Sequence, residues 1–363
     1  MMDAGEAGTN VFWIDDARGV ARAKLGGKLR SLVELSESGF PVPPGFGVSS
    51  DTFAAFSAQS GLRERVEEVS TLLADADLGE TRGISAELTE LVRSAEMPRE
   101  IEQDIRAAYD RLAGLAGVEH VPVAVRSSGV LEDLEGASFA GQYETYLWIR
   151  GADNVVKHVQ RCWEGVFSPE VLTYRPSGEV AGSSALAGMA VVVQRMVDAH
   201  ASGVAFTLDP VTGDRSKIVI ESCWGLGEGV VKGDITPDRF RIDKVTMELL
   251  GKEISVQDRE YRFDPDRGEV RAMELDPERG ALPSLDPQQA AAIAALAKQV
   301  ERDRGGPQDL EWALEDNGEP RLLQARPETV WAQRQREEAT KGKSTSAMER
   351  VLGTFVKPGG SEK

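Results

Sequence analysis

The chain has 363 residues, and its 60 acidic residues outnumber its 42 basic ones, which gives a formal net charge of −18. At about 150 residues per domain this length predicts two domains. With 41% hydrophobic and 28% charged residues, the composition is typical of a globular protein rather than a disordered chain. The acidic balance argues against double-stranded nucleic acid or an anionic membrane surface as the main partner, because both carry negative charge.

The cysteines and the histidines exclude further classes of protein. Cys162 and Cys223 lie far apart and form no CxxC pair, so we expect neither a disulfide scaffold nor a cysteine-based zinc site. The three histidines lack the four-residue spacing that places two metal ligands on one helix face. The start of the chain has no apolar segment of the signal-peptide type, and the longest apolar run, residues 290–297, is too short to span a bilayer. We therefore expect a cytoplasmic protein.

In chain order, the first half shows mainly helical patterns. An apolar stripe follows the glycine pair 26–27 and predicts a helix that ends at Gly39. Three prolines then predict an extended loop over residues 40–47. Residues 66–112 have a helical pattern, with breaks expected near Gly79, Gly83 and Pro98.

The second half is predicted to be richer in strands. Apolar runs indicate strands at residues 121–126, 146–149, 190–196, 203–207 and 218–223, and two meanders follow at 240–254 and 261–275. A helix is predicted over residues 286–303, because Asp286, Pro287 and Gln289 form the start signature of a capped helix. The pattern indicates an α+β fold with an N-terminal lobe at 1–189, a C-terminal lobe at 190–333 and a tail at 334–363.

The tail differs from the body in charge. Residues 332–363 carry seven basic and four acidic side chains, and the tail also holds an apolar helical stripe of Met348, Val351, Leu352 and Phe355. Two interpretations remain open, a frayed terminus and a helix that docks onto a partner.

The most informative segment is the hairpin predicted over residues 309–327. Asn317-Gly318 predicts a two-residue type I′ turn, which pairs Glu311 with Gln324 and Asp309 with Arg326, and a loop two residues longer would give the same pairs. These four side chains then share one face of the hairpin, and the other face carries Leu310, Trp312, Leu314 and Leu323. Carboxylate and amide oxygens suit Mg²⁺, and a guanidinium suits a phosphate. The alternative is a solvated sheet face with a cross-strand ion pair.

Three further features are compatible with a bound nucleotide. Gly26-Gly27-Lys28 precedes the first striped helix, whose N-terminus would attract phosphate. Arg126 ends an apolar strand that leads into a loop of small residues at 137–142, a composition suited to a mobile phosphate cover. The strand at 191–197 either lines an adenine pocket or belongs to the core. P-loop and dinucleotide fingerprints are not matched.

Together these segments resemble the ATP-binding domain of the family that includes phosphoenolpyruvate (PEP) synthase, pyruvate phosphate dikinase and rifampin phosphotransferase. The resemblance covers residues 25–331 and rests on seven ordered motifs: LGGK at 25–28, GFPVPPGF at 39–46, AVRSS at 124–128, ASFAG at 137–141, SGVAFT at 202–207, WGLGE at 224–228 and LQARP at 323–327. It implies an ATP-grasp fold, in which two α+β lobes hold ATP between them.

The resemblance also implies residue roles. Lys28, Arg126 and Arg326 would contact the ATP phosphates and act catalytically, whereas Glu311 and Gln324 would bind Mg²⁺ with Asp309 beside them. The remaining ATP-binding positions implied are Gly141 and Thr145 in the phosphate-covering loop, Gln194, Met196 and Val197 in the adenine segment, and Thr207 near the phosphates.

One expected part is absent from the sequence. Members of the family continue into a swivelling domain with a catalytic histidine in a T-x-G-G-x-[TS]-[SC]-H motif, and the sequence around His120, His158 and His200 does not match it. The chain thus resembles the stand-alone ATP-binding subunit of phenylphosphate synthase and of the cresol-phosphorylating enzyme. This implies that ATP is cleaved to AMP and phosphate while the β-phosphate passes to a histidine on a partner subunit. The alternatives are a stand-alone or fragmentary PEP synthase-like or rifampin phosphotransferase-like kinase and a non-catalytic ATP-sensing module.

Overall fold

The computed structural model describes residues 10–73, 75–129, 144–173, 188–329 and 331. Two lobes follow each other along these residues, and each is built on an antiparallel sheet with helices packed against it. This is the α+β arrangement expected from the sequence. The predicted tail helix and the small-residue loop at 137–142 lie outside the described residues.

The first lobe contains a five-stranded sheet in the order β1-β2-β5-β3-β4. Its strands are β1 Val11–Trp13, β2 Gly45–Val48, β3 Val123–Gly129, β4 Thr145–Ile149 and β5 Met189–Arg195. Its helices are α1 Gly26–Glu37, α2 Ser50–Gln59, α3 Leu62–Leu73, α4 Leu78–Ser94, α5 Arg99–Ala116, α6 Ala152–Glu164 and α7 Pro169–Thr173, with short 3₁₀ turns at Arg22–Lys24 and Gly165–Phe167.

The central strand β5 explains the continuous apolar run in its sequence. Val191 and Val193 face a core shared with helices α2 to α6, whereas Ala190 and Val192 face a second core against α1. A strand that is buried on both faces carries apolar side chains on both, so its sequence is continuously apolar rather than alternating. Because β5 pairs with β2 and β3, residues 189–195 belong to the first sheet. The lobe boundary predicted at 189/190 is therefore wrong and lies after this strand.

The second lobe contains a six-stranded sheet in the order β13-β12-β6-β7-β8-β9 and a separate two-stranded sheet. The strands of the large sheet are β6 Ala201–Phe206, β7 Lys217–Trp224, β8 Asp238–Asp243, β9 Leu249–Glu253, β12 Gln308–Leu314 and β13 Pro320–Pro327. The small sheet pairs β10 Arg259–Asp264 with β11 Glu269–Glu274, and the helices are α8 Glu228–Lys232, α9 Pro277–Gly280 and α10 Pro287–Arg304.

Helix α10 covers one face of the large sheet and follows the predicted start signals. The Asp286 side chain accepts hydrogen bonds from the backbone N–H groups of Gln288 and Gln289, and the Gln289 side chain accepts from the Asp286 N–H, which completes a capping box. Its buried face, including Ile293 and Val300, packs on the strands. Within α4 the predicted break at Gly83 is wrong, because that glycine lies inside a continuous helix.

Two segments join the lobes. Helix α1 belongs to the first lobe, but its Ser31 hydroxyl donates to the Ala325 carbonyl of β13, and its Glu34 pairs with Arg304 at the end of α10. The proline-rich segment before β2 also pairs with both sheets, because the Pro41 carbonyl accepts from Leu322 N–H and the Pro44 carbonyl from Arg195 N–H. Among the described residues, no helix combines the length and apolar character needed to cross a membrane.

Candidate nucleotide site between the lobes

Arg126 of β3 reaches from the first lobe to the predicted metal-binding hairpin of the second. One of its terminal nitrogens donates to Glu311 Oε2 at 2.9 Å and to Gln324 Oε1 at 2.8 Å, and the other donates to the Leu323 carbonyl at 2.7 Å. The side chain is only 10% exposed. The planar guanidinium can contact three acceptors at once because its donors are arranged as a rigid fork. Arg126 therefore links the two sheets at the place where the phosphates are expected.

The turn of the β12–β13 hairpin differs from the predicted type I′ turn. That turn needs positive φ at both central residues, but only Gly318 has it, with a φ of 82°, and Asn317 does not. Gly318 N–H donates to the Glu315 carbonyl at 2.9 Å, and Glu315 N–H donates to the Glu319 carbonyl at 3.1 Å. The connection is a three-residue loop closed by a left-handed glycine.

A β-bulge corrects the register that this loop shifts. Next to the turn, Trp312 pairs with Leu322, one residue away from the predicted partner. Leu323 is then left over on β13, and beyond it the pairs Glu311–Gln324 and Asp309–Arg326 are as predicted. The four polar residues of the hairpin are therefore brought together as the sequence predicted, although the turn was wrong.

The bulge also supplies a hydrogen-bond acceptor. Its carbonyl, at Leu323, receives one of the Arg126 bonds, because a bulged residue lies outside the ladder of strand hydrogen bonds. Leu323 was predicted on the apolar face with Leu310, Trp312 and Leu314, and this is wrong, since Leu322 occupies that place in the core. Leu323 instead packs in the cluster that contains Met196 and Val197.

Asp309 and Arg326 form the outer part of the polar patch. Arg326 Nε lies 3.4 Å from Asp309 Oδ2, and the Arg326 side chain is 56% exposed, whereas that of Asp309 is 20% exposed. Burial raises the pKa of Asp309 above its usual range, and the nearby Arg326 opposes this shift. Asp309 Oδ1 is buried and has no hydrogen-bond partner among the described residues. An unpartnered buried carboxylate oxygen is costly unless a ligand satisfies it.

The donor set fits Mg²⁺ together with a phosphate ligand. Glu311, Gln324 and Asp309 offer carboxylate and amide oxygens, which Mg²⁺ prefers. Within the described part of the chain, no three His, Cys, Asp or Glu side chains are grouped as a closed metal cage. Mg²⁺ is usually held by one or two carboxylates plus phosphate oxygens and water, so an open set of this kind suits it.

The start of α1 is fixed against the end of β3. The Ser128 hydroxyl donates to the Leu25 carbonyl at 2.9 Å and accepts from Leu29 N–H at 3.0 Å. Gly26 has a φ of 65°, and a Cβ there would lie 2.1 Å from the Ser128 carbonyl oxygen. Gly26 is thus needed for the contact between helix and strand, a reason that the sequence alone did not indicate.

Lys28, in the first turn of α1, lines a cleft of about 370 Å³ between the lobes. Gln324 and Arg326 line the same cleft, and Gln324 also accepts from Arg126. Its size is within the range of small-ligand pockets. The structure therefore brings together Lys28, Arg126, Asp309, Glu311, Gln324 and Arg326.

The other described residues that are predicted to bind ATP lie in or next to several different strands. Thr145 lies opposite Arg126 in the β3–β4 pair, and Met196 and Val197 follow β5 in the apolar cluster that contains Leu323. The buried Gln194 amide donates to the Pro43 carbonyl at 3.1 Å, so this side chain holds the proline-rich segment. Thr207 is fully buried, and its hydroxyl accepts from Gln308 N–H. Gly141 lies outside the described residues.

The three histidines take no part in this polar patch. His158 packs edge-on against Tyr146, with ring centroids 4.8 Å apart, and His200 packs edge-on against Trp224 at 5.1 Å. Burial is the largest cause that lowers the pKa of both side chains. His120 is largely exposed and lies 4.0 Å from its neighbour Glu119.

Three features of the site were missed by the sequence reasoning, and one of them had a visible signal. Leu322 and Leu323 are two apolar residues in a row within an alternating strand, which is a pattern that indicates a bulge. The Ser128 contact with α1 and the Glu34–Arg304 pair join residues far apart in sequence. No local pattern of residues would have predicted them.

Two α+β lobes with a cationic, carboxylate-containing cleft between them define the ATP-grasp class of nucleotide-binding proteins. The family model for the pyruvate phosphate dikinase AMP/ATP-binding domain matches residues 22–347. The chain belongs to this family, and the match covers most of its length.

Curated relatives agree with this assignment. A probable phosphoenolpyruvate synthase of Methanocaldococcus jannaschii is 35% identical over 98% of this chain and 30% of that protein. A probable phosphoenolpyruvate synthase of Methanothermobacter thermautotrophicus is 40% identical over 90% of this chain and 47% of that protein. The prodigiosin synthesizing transferase PigC of Serratia marcescens is 39% identical over 85% of this chain and 32% of that protein. The chain thus spans less than half the length of these relatives.

Proposed function

We propose that this chain is the ATP-binding part of a dikinase-type phosphotransferase, which cleaves ATP to AMP and phosphate and passes the β-phosphoryl group to a histidine on a partner subunit. The observation that carries the proposal is the contact of Arg126 with Glu311, Gln324 and the Leu323 carbonyl. It concentrates a guanidinium, a carboxylate and an amide oxygen between the lobes, where a metal-bound phosphate chain can meet all three.

The chemical task of such a site is mainly electrostatic. Phosphoryl transfer spreads negative charge over the oxygens of the transferred group, and fixed cations stabilise this charge. Lys28 and Arg326 line the cleft, and Arg126 enters the patch from β3. Mg²⁺, held by Glu311 and Gln324 with Asp309 beside them, would supply further positive charge to the phosphates. The balanced step consumes ATP, water and a histidine, and yields AMP, inorganic phosphate and phosphohistidine.

We place the acceptor histidine on a separate polypeptide. His120, His158 and His200 lack the expected motif, and the latter two pack against aromatic rings instead of facing the patch. The chain spans only 30% to 47% of the relatives described above.

The final phosphate acceptor is proposed to be a small hydroxyl compound. We propose a phenol or a cresol, because the chain resembles the ATP-binding subunits of phenylphosphate synthase and of the cresol-phosphorylating enzyme. A second candidate is phosphoenolpyruvate formation, which the names of the two archaeal relatives favour.

Isotope transfer tests the proposal. The purified chain is mixed with a histidine-domain partner and with ATP labelled in either the β- or the γ-phosphate. We expect label from the β position on the partner and label from the γ position in inorganic phosphate. Transfer of the γ label to the partner, or binding of ATP without cleavage, would refute the proposal, and the latter result would indicate an ATP-sensing module.

Phenol, p-cresol and pyruvate are then supplied separately to the phosphorylated partner. The compound that removes the label from the histidine identifies the acceptor. Loss of label to pyruvate alone would overturn the phenol assignment while leaving the ATP-binding role intact.

A further inference from the structure

A bulge in β4 turns one tryptophan away from its own sheet. In the β3–β4 pair, Val123 lies opposite Ile149 and Val125 opposite Tyr146, which leaves Leu147 and Trp148 together against a single residue. Trp148 has a φ of 61°, a left-handed conformation that is rare for an aromatic residue. Bulges of this kind redirect side chains and are frequent beside functional sites.

The redirected side chain contacts the other lobe. The Trp148 ring stacks on Phe263 of β10, with centroids 5.2 Å apart and planes 10° from parallel. The guanidinium of Arg150, two residues further along, lies 4.7 Å from the centre of the same Phe263 ring. We call these three residues, Trp148, Arg150 and Phe263, the interlobe clasp.

The clasp is connected to the nucleotide site through both lobes. Thr145, the first residue of β4, lies opposite Arg126, and the adjacent Ser127 donates to the Glu144 carbonyl. On the other side, Trp148 shares an apolar cluster with Met196 and Leu323. The strand that carries Arg126 therefore pairs with the strand that carries Trp148, and the bulge that accepts from Arg126 packs in the cluster that contains Trp148.

We propose that Trp148 and Phe263 are positioning residues, which hold the two lobes at the separation at which Arg126 reaches the hairpin. This inference rests on the proposed function, because it assigns the clasp a role in binding ATP between the lobes. The left-handed Trp148 backbone supports this role, since strained residues persist where the surrounding contacts hold them and cluster at ligand clamps.

The test measures ATP affinity by titration in the presence of Mg²⁺ for the wild-type chain and three variants. Phe263→Leu removes the ring stack and should weaken ATP binding by about 2- to 10-fold, the range of an aromatic pair. Phe263→Tyr keeps the ring and should restore the wild-type affinity. Ile242→Val removes apolar volume from the core cluster between the large sheet and α10, which contains none of the clasp residues, and should leave ATP affinity within about 2-fold.

If the clasp acts by positioning Arg126, the effects of substitutions at Phe263 and at Arg126 on ATP affinity should not be additive. In an Arg126→Lys background, Phe263→Leu should change ATP affinity by less than about 2-fold, because the contact that the clasp serves is already weakened. Equal losses in both backgrounds would show a merely structural role and overturn the inference, as would unchanged affinity in the Phe263→Leu variant.

The failure of the inference is distinguishable from the failure of the proposed function. A wild-type chain that binds no ATP refutes the proposed function. In that case hydrogen exchange of the nucleotide-free chain still tests the clasp, since Phe263→Leu should speed exchange at residues 145–149 and Ile242→Val should not. Equal exchange in the two variants would overturn the clasp.

Discussion

Replacement of Arg126 tests the link between the lobes most informatively. Arg126→Ala removes the donors to Glu311, Gln324 and the Leu323 carbonyl together. Arg126→Lys keeps the charge but loses the planar fork, and one ammonium group cannot reproduce the geometry of all three bonds. The two variants therefore separate the effect of charge from that of geometry.

The magnitude follows from burial. Removing one partner of a buried ion pair costs about 3–5 kcal/mol. The Arg126 side chain is 10% exposed, but that of Glu311 is 39% exposed, so solvent screens part of the loss. We expect Arg126→Ala to lower the free energy of unfolding by about 2–4 kcal/mol and Arg126→Lys by about half of this.

Urea unfolding and ATP titration provide the two assays. Arg321→Ala is a matched control, because Arg321 also contacts the hairpin through Glu315 and Glu319 but lies within the second lobe. Arg126→Ala should weaken Mg²⁺-dependent ATP binding by about 10- to 100-fold, because hydrogen bonds to charged groups contribute about 1.5–3 kcal/mol. Arg321→Ala should leave ATP binding within about 2-fold of wild type.

Two results would refute this reasoning. If Arg126→Ala and the wild type had the same free energy of unfolding and the same ATP affinity, the three hydrogen bonds of Arg126 would contribute to neither. An equal loss of ATP affinity in Arg321→Ala would show that general damage to the hairpin, rather than the guanidinium of Arg126, is responsible.

Three further variants probe the site. Glu311→Gln should raise the Mg²⁺ concentration needed for ATP binding by about 10-fold, because a carboxylate ligand is lost; unchanged dependence in a Mg²⁺ titration would exclude Glu311 as a ligand. Burial raises the pKa of Asp309 above its usual 3.8, so between these two pKa values the folded chain binds more protons than the unfolded chain. The free energy of unfolding therefore falls as the pH rises through the raised pKa. Asp309→Asn should therefore raise the melting temperature at pH 7 but not at pH 3, and equal shifts at both pH values would contradict this. Gly26→Ala would place a Cβ 2.1 Å from the Ser128 carbonyl and should cost about 2 kcal/mol or more, whereas Gly83→Ala, in open space within α4, should be stabilising in the same thermal melts.

Local signals predicted much of the secondary structure. The leucine stripe of α1 and the capping box of α10 depend on residues within one or two turns, so periodicity and capping were sufficient. The predicted pairs Glu311–Gln324 and Asp309–Arg326 were also found. Their register was right because a shifted turn and a bulge at Leu323 compensate each other.

The rest could not be predicted because it depends on contacts between distant segments. Arg126 and Glu311 are 185 positions apart, and only the packing of the two lobes brings them together. β5 was assigned to the wrong lobe, because its sequence shows that it is buried but not which sheet it joins. The left-handed Trp148 follows from a register shift in β4, which no glycine or proline signals.

A crystal structure of the chain with ATP and Mn²⁺ in place of Mg²⁺ tests the central claim most directly. The anomalous signal of Mn²⁺ should lie within coordination distance of Glu311 and Gln324 oxygens, with the triphosphate in the cleft beside Lys28 and in contact with the Arg126 guanidinium. A Mn²⁺ peak away from the hairpin, or a triphosphate that contacts only one lobe, would contradict the claim that ATP is held between them.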